Sequence, residues 1–97
     1  MKIELKNIKE TGRNLMRRVG YAEHFDHRSR ETSYVRRLEH EFYPRFHAYI
    51  EESGSNLFVN LHLDMKQASY AVGHMHGGEY EGPLLDKEKE RILGLIG

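Results

Sequence analysis

The sequence predicts an α+β fold: a helix, a three-stranded antiparallel sheet and a second helix, with both helices on one face of the sheet. Residues 45–51 and 56–64 alternate apolar and polar side chains, which is typical of strands with one buried face. Apolar residues at helical spacing precede and follow the strands. Because such a sheet packs one face on the core, we expect its other face to be open and polar.

The length and composition are those of one small domain, residues 1–97. A formal net charge of zero argues against a general attraction to nucleic acid or to anionic membranes. The absence of cysteine excludes disulfides and thiolate zinc sites and fits a reducing compartment. No stretch approaches the ~18 apolar residues of a membrane span, and the charged start lacks a signal-peptide pattern. We therefore expect a soluble, cytoplasmic protein that does not bind membranes.

The first helix is predicted over residues 8–19. Asn7 and Glu10 have the spacing of a capping box, and Gly20 is placed to end the helix. The apolar residues between Asn7 and Gly20 recur at helical spacing: Ile8, Leu15, Met16 and Val19. Residues 22–32 are polar and aperiodic, which predicts a loop.

The first strand is predicted over residues 33–38, SYVRRL, from its β-branched and aromatic content. The pair Arg36-Arg37 places one charge on each face, which favours an edge position. An exposed edge here would make a dimer through this strand possible.

The second and third strands are predicted to form a hairpin around Ser53-Gly54-Ser55. Apolar side chains share one face only if paired residue numbers sum to an odd value. A two-residue loop gives a sum of 109, which places Arg45 opposite Asp64 and His47 opposite His62. A four-residue loop, with a sum of 107, is the alternative register.

The C-terminal part is predicted to be a long loop over residues 66–82, with a short strand at 70–72, followed by a helix from Pro83. Asp86 and Glu88 would lie in its first turns, where the helix dipole favours acidic groups.

The open sheet face is the first candidate site. Aromatic side chains beside arginines suit base stacking with phosphate neutralisation, so RNA or a protein is the expected partner. Tyr34 and Arg36 would join this face if their strand is in phase. The alternative is an ordinary solvated face stabilised by cross-strand packing. The predicted binding residues are Arg45, His47, Tyr49, Phe58, His62 and Asp64.

Histidine density gives a second hypothesis, a divalent metal such as zinc. His74-Met75-His76 has a spacing that can present two imidazoles to one ion, and His62 could add a third. Surface histidines without a metal are the alternative, in which case no cofactor is expected.

A third hypothesis is a hydrolase, either metal-dependent or His-based, acting on a phosphodiester-type substrate. His62, Asp64 and His47 are the candidate catalytic residues, with Arg45 as an anion-binding group. The alternative is a simple cross-strand ion pair between Arg45 and Asp64.

The stretches YPRFHAYI, NLHLD and HGGEYEG resemble a group of small prokaryotic proteins of uncharacterised function, over most of residues 33–92. This resemblance implies no activity. The element order, with Gly20-Tyr21 after the first helix and RILGLIG at the end, is similar to the double-stranded-RNA-binding-like fold of HicA-type mRNA interferase toxins. Those toxins carry a catalytic histidine after a Gly-Ser or similar pair. That triplet is missing here, so no catalytic residue is transferred.

Overall fold

The computed structural model describes residues 1–65 and 77–96. They form one antiparallel sheet of five strands, in the order β1-β5-β4-β3-β2, and two helices. The elements are β1 (Lys2–Leu5), α1 (Gly12–Arg18), β2 (Ala22–Asp26), β3 (Glu31–Arg37), β4 (Arg45–Ser53), β5 (Asn56–Asp64) and α2 (Gly77–Ile96). The α+β class with an antiparallel sheet is confirmed. The prediction of a helix, three strands and a helix is wrong, because a further strand flanks each side of the predicted sheet.

The two unexpected strands are the outer ones. β1 has only four residues and pairs with β5, with Ile3 opposite Val59. β2 occupies part of the predicted loop 22–32 and pairs with β3, and all five of its residues are exposed. An edge strand without a buried face has no apolar alternation, so its sequence looks like a loop.

The central hairpin has the predicted register. Arg45 lies opposite Asp64 and His47 opposite His62, which confirms the sum of 109. Gly54 in the two-residue loop has a φ of 62°, which glycine adopts readily. Turn chemistry and strict alternation therefore fixed this part of the sheet.

Helix α1 is shorter than predicted at its start. Thr11 is its N-cap, with Oγ1 accepting a hydrogen bond from Asn14 N–H at 3.1 Å. Asn7 instead has a φ of 56°, so the predicted capping box does not form. The C-terminal signal was right: Gly20 N–H donates to the Arg17 carbonyl at 3.1 Å, and its φ is 102°.

The core lies between the helices and one face of the sheet. Leu15 and Met16 of α1 and Ile92 of α2 belong to the same buried cluster as the inward side chains of the strands. The strand residues of this cluster are Ile3, Leu5, Tyr34, Phe46, Ala48, Leu57, Val59, Leu61 and Leu63. One continuous core thus packs against one face of the sheet. Within residues 1–65 and 82–96, no helix packs against the opposite face.

The phase of strand β3 places Tyr34 and Arg36 on the helix side of the sheet and not on the open face. Tyr34 lies opposite Ala48 and Arg36 opposite Phe46, so both are on the helix side. The connection 38–44 is long enough to leave the phase of β3 unconstrained by the sequence. β3 also lies between β2 and β4, so it offers no edge for the predicted dimer.

Helix α2 begins at Gly77 and contains Pro83, so the predicted loop is wrong for residues 77–82 and the predicted start at Pro83 is wrong. Residues 66–76, including the short strand predicted at 70–72, lie outside the described residues. Neither helix in the described ranges combines the length and apolar character needed to cross a membrane.

Candidate functional site

The six predicted binding residues do share one face of the sheet. Because the β4–β5 register has a sum of 109, Arg45, His47 and Tyr49 lie directly opposite residues of β5 on the side away from the core. We call the strand side chains on this side the open face. On β4 and β5 the predicted residues are Arg45, His47, Tyr49, Phe58, His62 and Asp64.

His47 is the centre of a hydrogen-bonded line across three strands. Its Nδ1 lies 2.8 Å from Asp64 Oδ2, and its Nε2 lies 2.8 Å from Ser33 Oγ. Arg45 Nε donates to the same Asp64 oxygen at 3.4 Å. We call Ser33, His47, Asp64 and Arg45 the His47 cluster. It fixes the ring of His47, whose side chain is 15 % exposed.

Ser33 is the member that sequence reasoning missed. Its hydroxyl is buried, with the residue 2 % exposed, and it reaches the open face because Tyr34 points to the core. The alternation in β3 shows that Ser33 and Tyr34 lie on opposite faces. The alternation does not show which of these two residues points to the core. The sequence alone could therefore not place Ser33 on the open face.

Residues 38–44 form an aromatic cover over Arg45. Its guanidinium carbon lies 4.8 Å from the ring centroid of Tyr43 and 5.3 Å from that of Phe42. Arg37 lies 4.8 Å from the Phe42 centroid on the same side. These contacts explain why the charged side chain of Arg45, on the face opposite the helices, is only 10 % exposed.

Aromatic rings continue across the open face from β2 to β5. The His47 centroid is 6.5 Å from that of His24 and 4.9 Å from that of Tyr49, and Tyr49 is 6.4 Å from His62. Lys2 on β1 places its Nζ 4.9 Å from the Phe58 ring centroid. The result is a surface of rings with both cations and carboxylates at its margins, since Glu4 and Glu51 each lie opposite Phe58.

Two recesses flank His47. One, of about 490 Å³, is lined by His24, Arg37 and Phe42 among others. The second, of about 500 Å³, is lined by Tyr49, Asn60 and His62 among others. Each recess thus combines a ring with polar groups that can donate or accept hydrogen bonds.

The structure describes only one of the three histidines of the metal hypothesis. His74 and His76 lie outside the described residues, and His62 is exposed on β5. Within the described parts of the chain, no group of three or more His, Cys, Asp or Glu side chains is arranged to hold a metal ion.

A second polar cluster lies on the helix side of the sheet. Glu88 of α2 is 3 % exposed and accepts hydrogen bonds from Tyr21 Oη at 2.6 Å and from Arg91 Nε at 2.8 Å. Arg36 Nη1 lies 3.3 Å from Glu88 Oε1. Burial, and then the hydrogen bond to Glu88, raise the pKa of Tyr21 well above its ordinary value. We call these four residues the Glu88 cluster.

Comparison of the chain with family models, curated proteins and solved structures gives no match. The likeness to HicA-type toxins depended on the order helix, three strands, helix, and the five-stranded sheet removes that basis. Any function must therefore be argued from the site itself.

Proposed function

We propose that the protein is a binding module for single-stranded nucleic acid and that the open face is its binding surface. The observation that carries this proposal is the series of rings on the open face, with Arg37 and Lys2 beside Phe42 and Phe58. Bases stack on aromatic side chains whatever their sequence, and nearby cations neutralise phosphates.

Tyr49 is the principal stacking residue in this proposal. It is 36 % exposed and lies between the rings of His47 and His62. The recess beside it, with Asn60 and His62, would receive the edge of a base. The fixed orientation of His47 would keep this surface rigid, which lowers the entropy lost on binding.

The charges on the open face limit the number of phosphate contacts. Arg45 is already paired with Asp64, and Glu51 lies near the second recess. Lys2 and Arg37 are the cations we assign to phosphates. Since each phosphate contact on a single strand contributes about −0.7 to the slope of log K against log salt, we expect a slope of about −1.4.

The proposal is tested by fluorescence anisotropy with a labelled single-stranded RNA of mixed sequence. Tyr49→Ala should weaken binding by about 1–3 kcal/mol, whereas Tyr49→Phe, which keeps the ring, should retain most of the affinity. The same strand in a duplex should bind more weakly, because its bases are not available for stacking. Equal affinity of Tyr49→Ala and the unsubstituted chain would refute the proposal. Binding of a protein but of no RNA or DNA would also refute it.

A second candidate function, a His-based hydrolase, is favoured by the line Ser33–His47–Asp64. The order hydroxyl, imidazole, carboxylate is that of a nucleophile, a general base and a group that orients the base. Asp64 would hold the Nδ1–H tautomer, and Nε2 would take the proton of Ser33. We place this function second for two reasons. Ser33 is buried, and β3 lies between two strands, so its backbone N–H groups are hydrogen-bonded within the sheet and are not free to bind a substrate.

The hydrolase hypothesis has its own test. A fluorophosphonate probe should phosphonylate Ser33 Oγ with loss of fluoride, which adds the mass of the probe less that of HF, and Ser33→Ala and His47→Ala should each abolish the addition. If no adduct forms on the unsubstituted chain and bis-p-nitrophenyl phosphate is not hydrolysed, this hypothesis fails, while RNA binding is unaffected.

We also infer a cytoplasmic location, which the absence of cysteine in the sequence supports. A reducing compartment would also be where single-stranded RNA is available to this surface.

A further inference from the structure

We propose that a second copy of the chain pairs with the edge of β2, antiparallel to it. β2 is an outer strand of the described sheet, and each of its five residues is exposed. Phe25 in the middle of the strand is 45 % exposed, so it offers apolar surface at this edge. An outer strand presents backbone N–H and C=O groups that another strand can satisfy.

The two outer strands differ in protection. β1 contains Lys2, a residue that discourages edge pairing, and its two apolar residues, Ile3 and Leu5, are buried. β2, with the sequence AEHFD, contains neither lysine nor proline. Within the described residues, β2 is therefore the more available edge.

The sequence of β2 is complementary to itself in one antiparallel register. When paired residue numbers sum to 50, Phe25 lies opposite Phe25 of the second copy, and His24 lies opposite Asp26. Glu23 then faces His27 just beyond the strand. Aromatic pairs stabilise antiparallel strands, and a carboxylate can accept a hydrogen bond from a histidine ring, so this register brings favourable partners together over residues 23–27.

The competing register has a sum of 48. It places His24 opposite its own copy, Ala22 opposite Asp26, and Glu23 opposite Phe25. These pairs include no opposite charges and no pair of phenyl rings, and histidine faces histidine at the centre, so we assign the register with a sum of 50.

The pairing would double the working surface. A two-fold axis perpendicular to the sheet joins two five-stranded sheets into one of ten strands with both open faces on the same side. His24 lies on the open face, opposite Ser33 in the sheet, so the two His47 clusters would flank the new strand pair. This inference concerns assembly and does not depend on the proposed nucleic-acid binding.

Single-cysteine variants test the register directly, because the chain has no cysteine of its own. Residues directly opposite in antiparallel strands have the Cα separation that a disulfide requires. Phe25→Cys should therefore form a covalent dimer under mild oxidation, whereas Glu23→Cys and His24→Cys should stay monomeric. Crosslinking of His24→Cys in place of Phe25→Cys would contradict the assigned register.

Light scattering after size exclusion provides the second readout. The unsubstituted chain should have twice the mass of one chain, and Phe25→Lys should weaken the dimer by at least about tenfold. Leu93→Lys, which changes a similarly exposed residue on α2, is the matched control and should remain dimeric. A monomeric mass for the unsubstituted chain up to millimolar concentration, or a dimer unchanged by Phe25→Lys, would overturn the proposal. Circular dichroism establishes that each variant is folded.

Discussion

The Glu88 cluster and the His47 cluster are similar in chemistry and different in surroundings. Each contains a carboxylate held by a guanidinium and by a third polar group. Glu88 lies on the buried side of α2 and its side chain is 3 % exposed, whereas the Asp64 side chain is 31 % exposed on the open face. The first carboxylate has been removed from water on folding, and the second retains contact with water.

This difference separates a structural role from a functional one. A carboxylate buried among two arginines and a tyrosine requires all its partners, since an unpaired buried charge is strongly unfavourable. Arg91 also joins α2 to the end of α1, since its Nη2 donates a hydrogen bond to the Val19 carbonyl at 2.6 Å. In the His47 cluster the Asp64 carboxylate still contacts water and can exchange this contact for one with a ligand, although its partners in the cluster are largely buried.

The largest expected effect is that of Glu88→Gln. The amide keeps the size of the side chain but removes the charge that compensates Arg36 and Arg91, so we expect a loss of about 3 kcal/mol in unfolding free energy. Urea denaturation measures this loss. Glu90→Gln, the same change at an exposed position of α2, is the control and should change stability by less than about 0.5 kcal/mol. Equal stability of the two variants would mean that the Glu88 cluster does not hold the fold.

The second effect concerns Tyr21. Because burial raises its pKa in the fold, the unfolded chain releases this proton first as pH rises above about 10. The contribution of Tyr21 to stability is therefore complete below about pH 10 and is lost progressively above it. Tyr21→Phe should cost about 1 kcal/mol at neutral pH and should flatten the decline above pH 10. Denaturation curves at a series of alkaline pH values measure this, and an unchanged decline in the variant would contradict it.

The same two regions differ in how much of them the sequence could predict. The hairpin of β4 and β5, and with it six residues of the open face, followed from alternation and a glycine turn. The Glu88 cluster did not, because a glutamate in a helix next to lysines looks solvated until its partners Tyr21 and Arg36 are known. β2 was missed because its exposed residues follow no pattern, and Ser33 because the phase of β3 depends on tertiary contacts.

The third effect, Asp64→Asn, is the open-face counterpart of the first. His47 and Arg45 lose a charged partner, but water can replace it, so we expect a loss of about 1 kcal/mol or less. A loss as large as that of Glu88→Gln, measured under the same denaturation conditions, would show that the two clusters are both structural.

The smallest effect is that of Lys2→Ala, which removes the cation above the Phe58 ring. An exposed cation–π contact contributes about 0.5 kcal/mol, so stability should fall by no more than this. If Lys2 also contacts a phosphate, the salt slope of RNA binding should become shallower by about 0.7 in the variant, and an unchanged slope would exclude that contact.

The most direct test of the open face as the working surface is a map of amide chemical shifts during titration with single-stranded RNA. We predict that the largest changes occur along β4 and β5 around His47, Tyr49, Asn60 and His62, with little change in α1 or in residues 84–96 of α2. Changes concentrated on the helices, or none at saturating RNA, would contradict the account.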